Sequence, residues 1–240
     1  MLTSDEIRRL TDDSKQVSYD PEPADTLSVK EPEPAYAQAP PLIVVPENTH
    51  DYPNQGFYTI DDYLALPDDQ RVELIDGVIY DMGAPTIPHQ LIGGDIYAQL
   101  LQYVKQKGGK CMPFIAPTDV QLDCDNRTMV QPDVLIVCDR SRINRKRIFG
   151  APDFVAEVLS PSTKRKDILI KGRKYADAGV KEYWLIDPME ETVMVFDFRE
   201  DFQISTYTFE DKVPVLLYGG DCVIDFREIK SYYAFLDEEK

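Results

Sequence analysis

What this 240-residue sequence has little of narrows it first. No apolar run approaches the roughly 20 residues that cross a bilayer, and the opening MLTSDEIRRL lacks the long apolar stretch of a secretory leader. A soluble cytoplasmic protein without membrane contact is expected. The four cysteines, Cys111, Cys124, Cys138 and Cys222, form no CxxC pair and are too sparse for a disulfide scaffold. They read as reduced, partly buried thiols. Positive charge is also scarce: 26 Lys and Arg face 43 Asp and Glu, a formal net charge of -17, which argues against nonspecific binding of a polyanion. Eleven of the 26 basic residues nevertheless fall in RSRINRKR (140–147) and KRKDILIKGRK (164–174), so the local field can differ from the global one and nucleic acid stays open.

The chain divides by composition. Residues 1–53 hold eight of the 18 prolines and many more acids than bases, and such a segment cannot bury enough apolar surface to offset chain entropy. A disordered arm is expected there, with a short helix near Ser4 to Leu10, and a folded domain over 54–236. Thr59 is an N-cap for a helix in TIDDYLAL. In VELIDGVIYDM the Asp76-Gly77 pair signals a hairpin. Leu91, Ile92, Ile96, Leu100 and Val104 recur at helical spacing over 88–107, stopped by Gly108-Gly109. A strand near 112–116, a hairpin turning at Asp125-Asn126, the apolar strands at 133–138 and 154–159, a helix over 163–178 and strands in KEYWLIDP, ETVMVFDF and ISTYTF follow. This order predicts an α/β (mixed α+β) protein, one mixed sheet flanked by helices.

One residue does not suit that scheme. Glu157 sits inside FVAEVLS, an apolar run with the character of a doubly buried strand, where an ionised carboxylate costs several kcal/mol unless something relieves it. Asp133 begins the preceding apolar strand 24 positions earlier. Two carboxylates on neighbouring strands repel, so either one takes up a proton or a divalent cation sits between them. Oxygen ligands with no histidine or cysteine pair nearby favour Mg²⁺ or Mn²⁺ over zinc. In the next helix Asp167, Lys171 and Tyr175 recur at i, i+4 and i+8, a face able to look back at the strand.

QPDVLIVCD, FVAEVLSPST, DILIKGRKY, AGVKEYWLIDP and the upstream VELIDGVIYDM together resemble the restriction-endonuclease-like family long carried as a domain of unknown function, a branch of the PD-(D/E)XK nuclease superfamily, over about residues 57–209. The resemblance implies a restriction-endonuclease-like fold and metal-dependent cleavage of DNA. It implies that Asp133 and Glu157 are catalytic and bind Mg²⁺ or Mn²⁺ with a main-chain carbonyl near Val158, that Lys171 supplies the amine, and that Glu73 is a further acid beside the metal. The lysine the superfamily motif carries two residues after Glu157 is absent; Leu159 stands there. His89 matches a recurrent family histidine of unassigned role.

Simpler readings stand beside these. Asp133 is also a turn former after proline, Glu157 also a structural partner for Lys171 or Arg173, His89 also a helix cap, and Tyr175 and Trp184 are also core aromatics. Arg145, Lys146, Lys164 and Arg165, candidates for guiding a nucleic-acid backbone together with His89, are also ordinary solvated loop residues. The leading function is a DNA endonuclease acting as a homodimer by analogy. The rival is a catalytically inactive nuclease-like module for binding or assembly, and a carboxylate-pair glycosidase is more distant.

Overall fold

A computed structural model of the chain describes residues 52–67, 69–122, 125–161, 164–199 and 202–237. The arm expected over 1–53 lies outside them except for its last two residues, as do the helix near 4–10, Cys124 and the side chain of Arg165.

Local signals act as the sequence suggests. Helix α1 (Ile60–Leu64) begins at Thr59, whose side chain and that of Asp62 cap each other's main chain. Strands β1 (Val72–Ile75) and β2 (Val78–Asp81) form a hairpin through Asp76 and Gly77, both at positive φ. Helix α2 (Ile87–Lys107) starts at Thr86, carries a proline in its first turn and stops at left-handed Gly108. Ile92, Ile96, Leu100 and Val104 form its buried stripe.

The sheets depart from the expectation of a single one. Strand β3 (Met112–Ile115) pairs with β6 (Val134–Val137), which pairs with β8 (Phe154–Val158), then β9 (Glu182–Asp187), β10 (Thr192–Asp197) and β11 (Gln203–Thr208); the β8–β9 pair is parallel and the rest are antiparallel. A second sheet joins β2 and β1 to β5 (Met129–Val130), β4 (Val120–Gln121) and β7 (Ile148–Phe149). A β12 (Lys212–Val215) and β13 (Cys222–Asp225) hairpin stands apart from both. The chain crosses from the small sheet to the large one at Gln131-Pro132-Asp133, where Pro132 has no N–H to continue a ladder. That crossing brings Glu73 of β1 towards the Asp133 end of β6.

The sequence reading ends at β11, short of β12, β13 and helix α4 (Phe226–Tyr233). Asp225 caps α4, whose Phe226, Ile229 and Tyr233 are buried in the same core as α2, β6, β8 and Trp184. Among the described residues no helix is long and apolar enough to cross a membrane.

Two further differences matter. The cysteines are not all reduced: Cys111 and Cys138, next to the paired Met112 and Val137 of β3 and β6, form a disulfide, while Cys222 is free and buried. Sparse, irregular cysteine spacing carries no information about which strands pair, so the bridge is invisible until β3 lies beside β6, and the expectation of reduced thiols fails at these two positions. The helix expected over 163–178, here α3, is also irregular. It runs as Lys164–Lys166, a π-turn Asp167–Lys171 and Gly172–Ala178. Gly172 N–H closes the π-turn on the Asp167 carbonyl, which also accepts from Tyr183 Oη at 3.0 Å. A Cβ on Gly172 would lie 3.4 Å from the Tyr183 ring, so helix and strand are in close contact here.

Gly77 supplies a test of the fold. A Cβ there would come within 2.8 Å of the Gly56 carbonyl oxygen at a φ of +77°. Gly77→Ala is expected to destabilise by roughly 1–3 kcal/mol in chemical denaturation. Gly109→Ala, where a Cβ meets open space, is expected to stay within about 0.5 kcal/mol.

Candidate functional site

The ladder between β6 and β8 fixes the two acids. Val134 faces Ala156, and one step further along this antiparallel register Asp133 faces Glu157. Each carboxylate reaches the opposite strand's main chain: Val158 N–H donates to Asp133 Oδ2 at 2.8 Å, and Asp133 N–H to Glu157 Oε2 at 3.4 Å. Asp133 lies at the surface end of the pair with 18% of its side chain exposed; Glu157, at 4%, is enclosed.

Lys171 answers the question that Glu157 raises. Its ammonium lies 2.5 Å from Glu157 Oε1, 2.9 Å from Glu73 Oε1 and 3.7 Å from Asp167 Oδ1, with only 3% of the side chain exposed. Tyr175 Oη donates to Glu157 Oε1 at 2.7 Å. Asp167, Lys171 and Tyr175 therefore do share a face, across a π-turn instead of a regular helix. Leu159 is buried, and its N–H bonds the Ile186 carbonyl of β9. The amine that reaches Glu157 comes from α3 instead.

Glu73 is fully buried, and both its oxygens are engaged. Lys166 Nζ sits 2.6 Å from Oε2, while Lys171 and the Gln131 N–H, at 3.0 Å, share Oε1. It thus anchors two lysines. Lys166 belongs to a basic run in which the sequence gives no sign of which side chain turns inward. The wider π-turn, with i and i+5 in line, carries Lys166 to the same side as Lys171.

His89, in the first turn of α2, places Nε2 3.1 Å from Asp133 Oδ2. Of the basic candidates, Lys164 pairs with Asp187 at 2.7 Å, and Arg145 and Lys146 are exposed in a turn closed by Asn144 Oδ1. Trp184 is a core aromatic that gives its Nε1–H to buried Glu182 at 2.7 Å.

The acids titrate in opposite directions. Burial opposes ionisation of Glu73, but Lys166 and Lys171 outweigh it and hold the carboxyl at about 2. Burial raises Glu157 to about 8, because Lys171, which favours its charge, is opposed by Asp133, Asp167 and Glu73. Lys171 is itself lifted well above the usual lysine range: burial disfavours its charge, and Glu157, Glu73 and Asp167 more than compensate. His89 is raised, its burial being outweighed by Asp133.

Stability should follow these signs. With its folded pKa below the ordinary 4.5, Glu73 stabilises above pH 4.5 and loses that contribution as pH falls towards 2. Glu157, raised from 4.5, favours the fold at low pH and opposes it as pH climbs towards 8. In denaturant titrations with chelator present, Glu157→Gln is expected to remove a decline in stability between those limits. Glu73→Gln, which leaves buried Lys171 short of a counter-charge, is expected to cost about 3–5 kcal/mol at pH 7.

Known proteins share this framework. Residues 60–217 match the family Uma2, described as "Putative restriction endonuclease". An uncharacterised protein of Synechocystis is 27% identical over 171 residues, covering 69% of this chain and 88% of that protein. The crystal structure of a "putative nuclease belonging to DUF820" from Anabaena variabilis aligns with a TM-score of 0.60 at 24% identity, covering 72% of this chain and 98% of that one, a likeness of fold. With most of its sequence matched, including every acid and lysine of the cluster, this chain belongs to the Uma2 family of restriction-endonuclease-like proteins.

Proposed function

We propose that this chain is a Mg²⁺- or Mn²⁺-dependent endonuclease that hydrolyses phosphodiester bonds in DNA. The observation that carries the reading is the facing pair Asp133 and Glu157 at the end of two adjacent strands, with the Lys171 ammonium on Glu157.

The donors fit a hard cation. Asp133, Glu157 and the Val158 carbonyl are oxygen ligands, and among the described residues no three His, Cys, Asp or Glu side chains converge as a ready-made chelate. Few protein oxygens, with water and phosphate completing the shell, is how Mg²⁺ is ordinarily held. Such an ion would supply polarisation of the phosphoryl oxygen and a more acidic water.

The chain's own groups set the rest. Lys171 is held as a cation by three carboxylates, so its role is electrostatic: it orients water and offsets charge developing on the phosphate rather than removing a proton. Tyr175 and Glu73 fix that ammonium and its partner in place. Arg145, Lys146, Lys164 and Arg165 guide the backbone outside the cluster, and two copies work together as restriction-like nucleases commonly do.

One observation favours the rival reading, an inactive binding or assembly module. Lys171 and Lys166 already engage Glu73 and Glu157, so the cluster can stand as a structural ion network. Nicking of supercoiled plasmid separates the two. Cutting is expected only with Mg²⁺ or Mn²⁺ and should stop on chelation. Asp133→Asn, Glu157→Gln and Lys171→Met should each slow it by about 10²–10³-fold or more. Cutting that survives all three changes rules out the assignment, and failure of the wild-type chain to bind or cut at millimolar cation favours the module.

A further inference from the structure

His89 stands where a helix normally places a core residue. The sheet-facing stripe of α2 runs through Ile92, Gly93, Ile96 and Leu100, and His89 lies one turn upstream on the same side. At Gly93 the helix faces β6: a Cβ there would make an ordinary contact, 3.9 Å from Val134 Cγ2, one residue from Asp133. Thr86 caps this first turn through the His89 N–H, so the side chain is not itself the cap that the simpler reading assigned to it. The imidazole is largely enclosed, with 16% of the side chain exposed.

Its contacts converge on one corner. Nε2 meets Asp133 Oδ2 at 3.1 Å. Asp133 Oδ2 receives the Val158 N–H as well, at 2.8 Å. Two donors therefore hold one oxygen of Asp133 against β8, and the carboxyl group cannot turn freely. Nδ1 is buried without a hydrogen-bond partner, so the ring is oriented from the Nε2 side alone. Groups of this kind, bonded behind a ligating carboxylate, govern metal affinity as strongly as many direct ligands do.

We propose that His89 is the positioning residue of the Asp133 carboxylate: by holding Oδ2 it leaves Oδ1 as the oxygen offered to a divalent cation beside Glu157. The proposal rests on the metal-dependent reading above and deepens it. His89 touches neither the cation nor the phosphate. What it contributes is a fixed orientation of the aspartate, supplied from a helix that carries no other member of the cluster.

Calorimetric titration of Mn²⁺ into the full-length chain at fixed pH tests this, with no activity measurement needed. His89→Ala is expected to weaken Mn²⁺ binding about 10–100-fold, and His89→Gln, whose amide nitrogen can donate from the same side, to recover most of it. Melting temperatures in chelator should separate the variants little, since the loss concerns the loaded state. Binding by His89→Ala as tight as wild type, or tighter, overturns the positioning role and leaves the endonuclease reading standing. Absence of Mn²⁺ binding by the wild-type chain overturns both. If the alanine chain does not fold, His89→Asn replaces it: its shorter donor is expected to bind Mn²⁺ more weakly than His89→Gln does, and equal affinities overturn the proposal.

Discussion

A single buried ammonium holds the two larger sheets of this protein to the same point. Lys171 is nearly inaccessible, and its partners come from β1 of the small sheet, β8 of the large sheet and its own helix. Removing charge from water is costly, and a buried ion network is seldom more stable than an apolar core of equal volume. What such a network confers is geometry. Glu157 can occupy the interior of a strand because Lys171 and Tyr175 are there, and Lys171 can be there because Glu73 and Asp167 share it. The five positions form one arrangement, and no member can be exchanged for a hydrophobic residue without leaving its neighbours uncompensated.

How much of this was legible follows from the range of each signal. Local chemistry read true: the Thr59 cap, the Asp76-Gly77 hairpin and the stripe of α2 are each set by a few adjacent residues. Glu157 was legible for the opposite reason, as a charge interrupting an apolar run, and a charge out of place demands a partner. The split into several sheets was not legible, because β4, β5 and β7 have two residues each and short strands carry too little alternation to reveal which sheet takes them. Nor was the π-turn, at which Tyr183 bonds the Asp167 carbonyl from a distant strand. With the π-turn hidden, Lys166 could not be told from Lys164 or Arg165, although it is the one whose ammonium meets Glu73. The Cys111–Cys138 bridge depends on strand pairing in the same way.

The acidic balance of the chain, an objection to a nucleic-acid substrate when taken as a total, looks different at the cluster. Four acids, Glu73, Asp133, Glu157 and Asp167, gather around two lysines, and the raised pKa of Glu157 reflects its burial first and that excess second. A phosphodiester brought to such a place meets repulsion unless positive charge is added. Lys171 cannot supply it alone, since its charge is already shared among three carboxylates. On the proposed reading that charge comes first from the cation, and the basic residues act on the backbone only at a distance, where salt screens them within about 10 Å.

Substrate and cation are therefore thermodynamically linked on the proposed reading. A site with surplus negative charge should bind a divalent ion better once some of its own protons are gone, and should accept a phosphate better once the ion is present. Each ligand relieves a repulsion that the other would otherwise face, which makes the coupling reciprocal. A chain with net charge -17 gains from that arrangement, because its bulk repels nucleic acid and only the loaded site reverses the local sign. On the proposed reading the overall acidity, the buried lysine and the facing carboxylates are parts of one electrostatic arrangement, in which affinity for a polyanion is switched on at one point of the surface rather than spread over it.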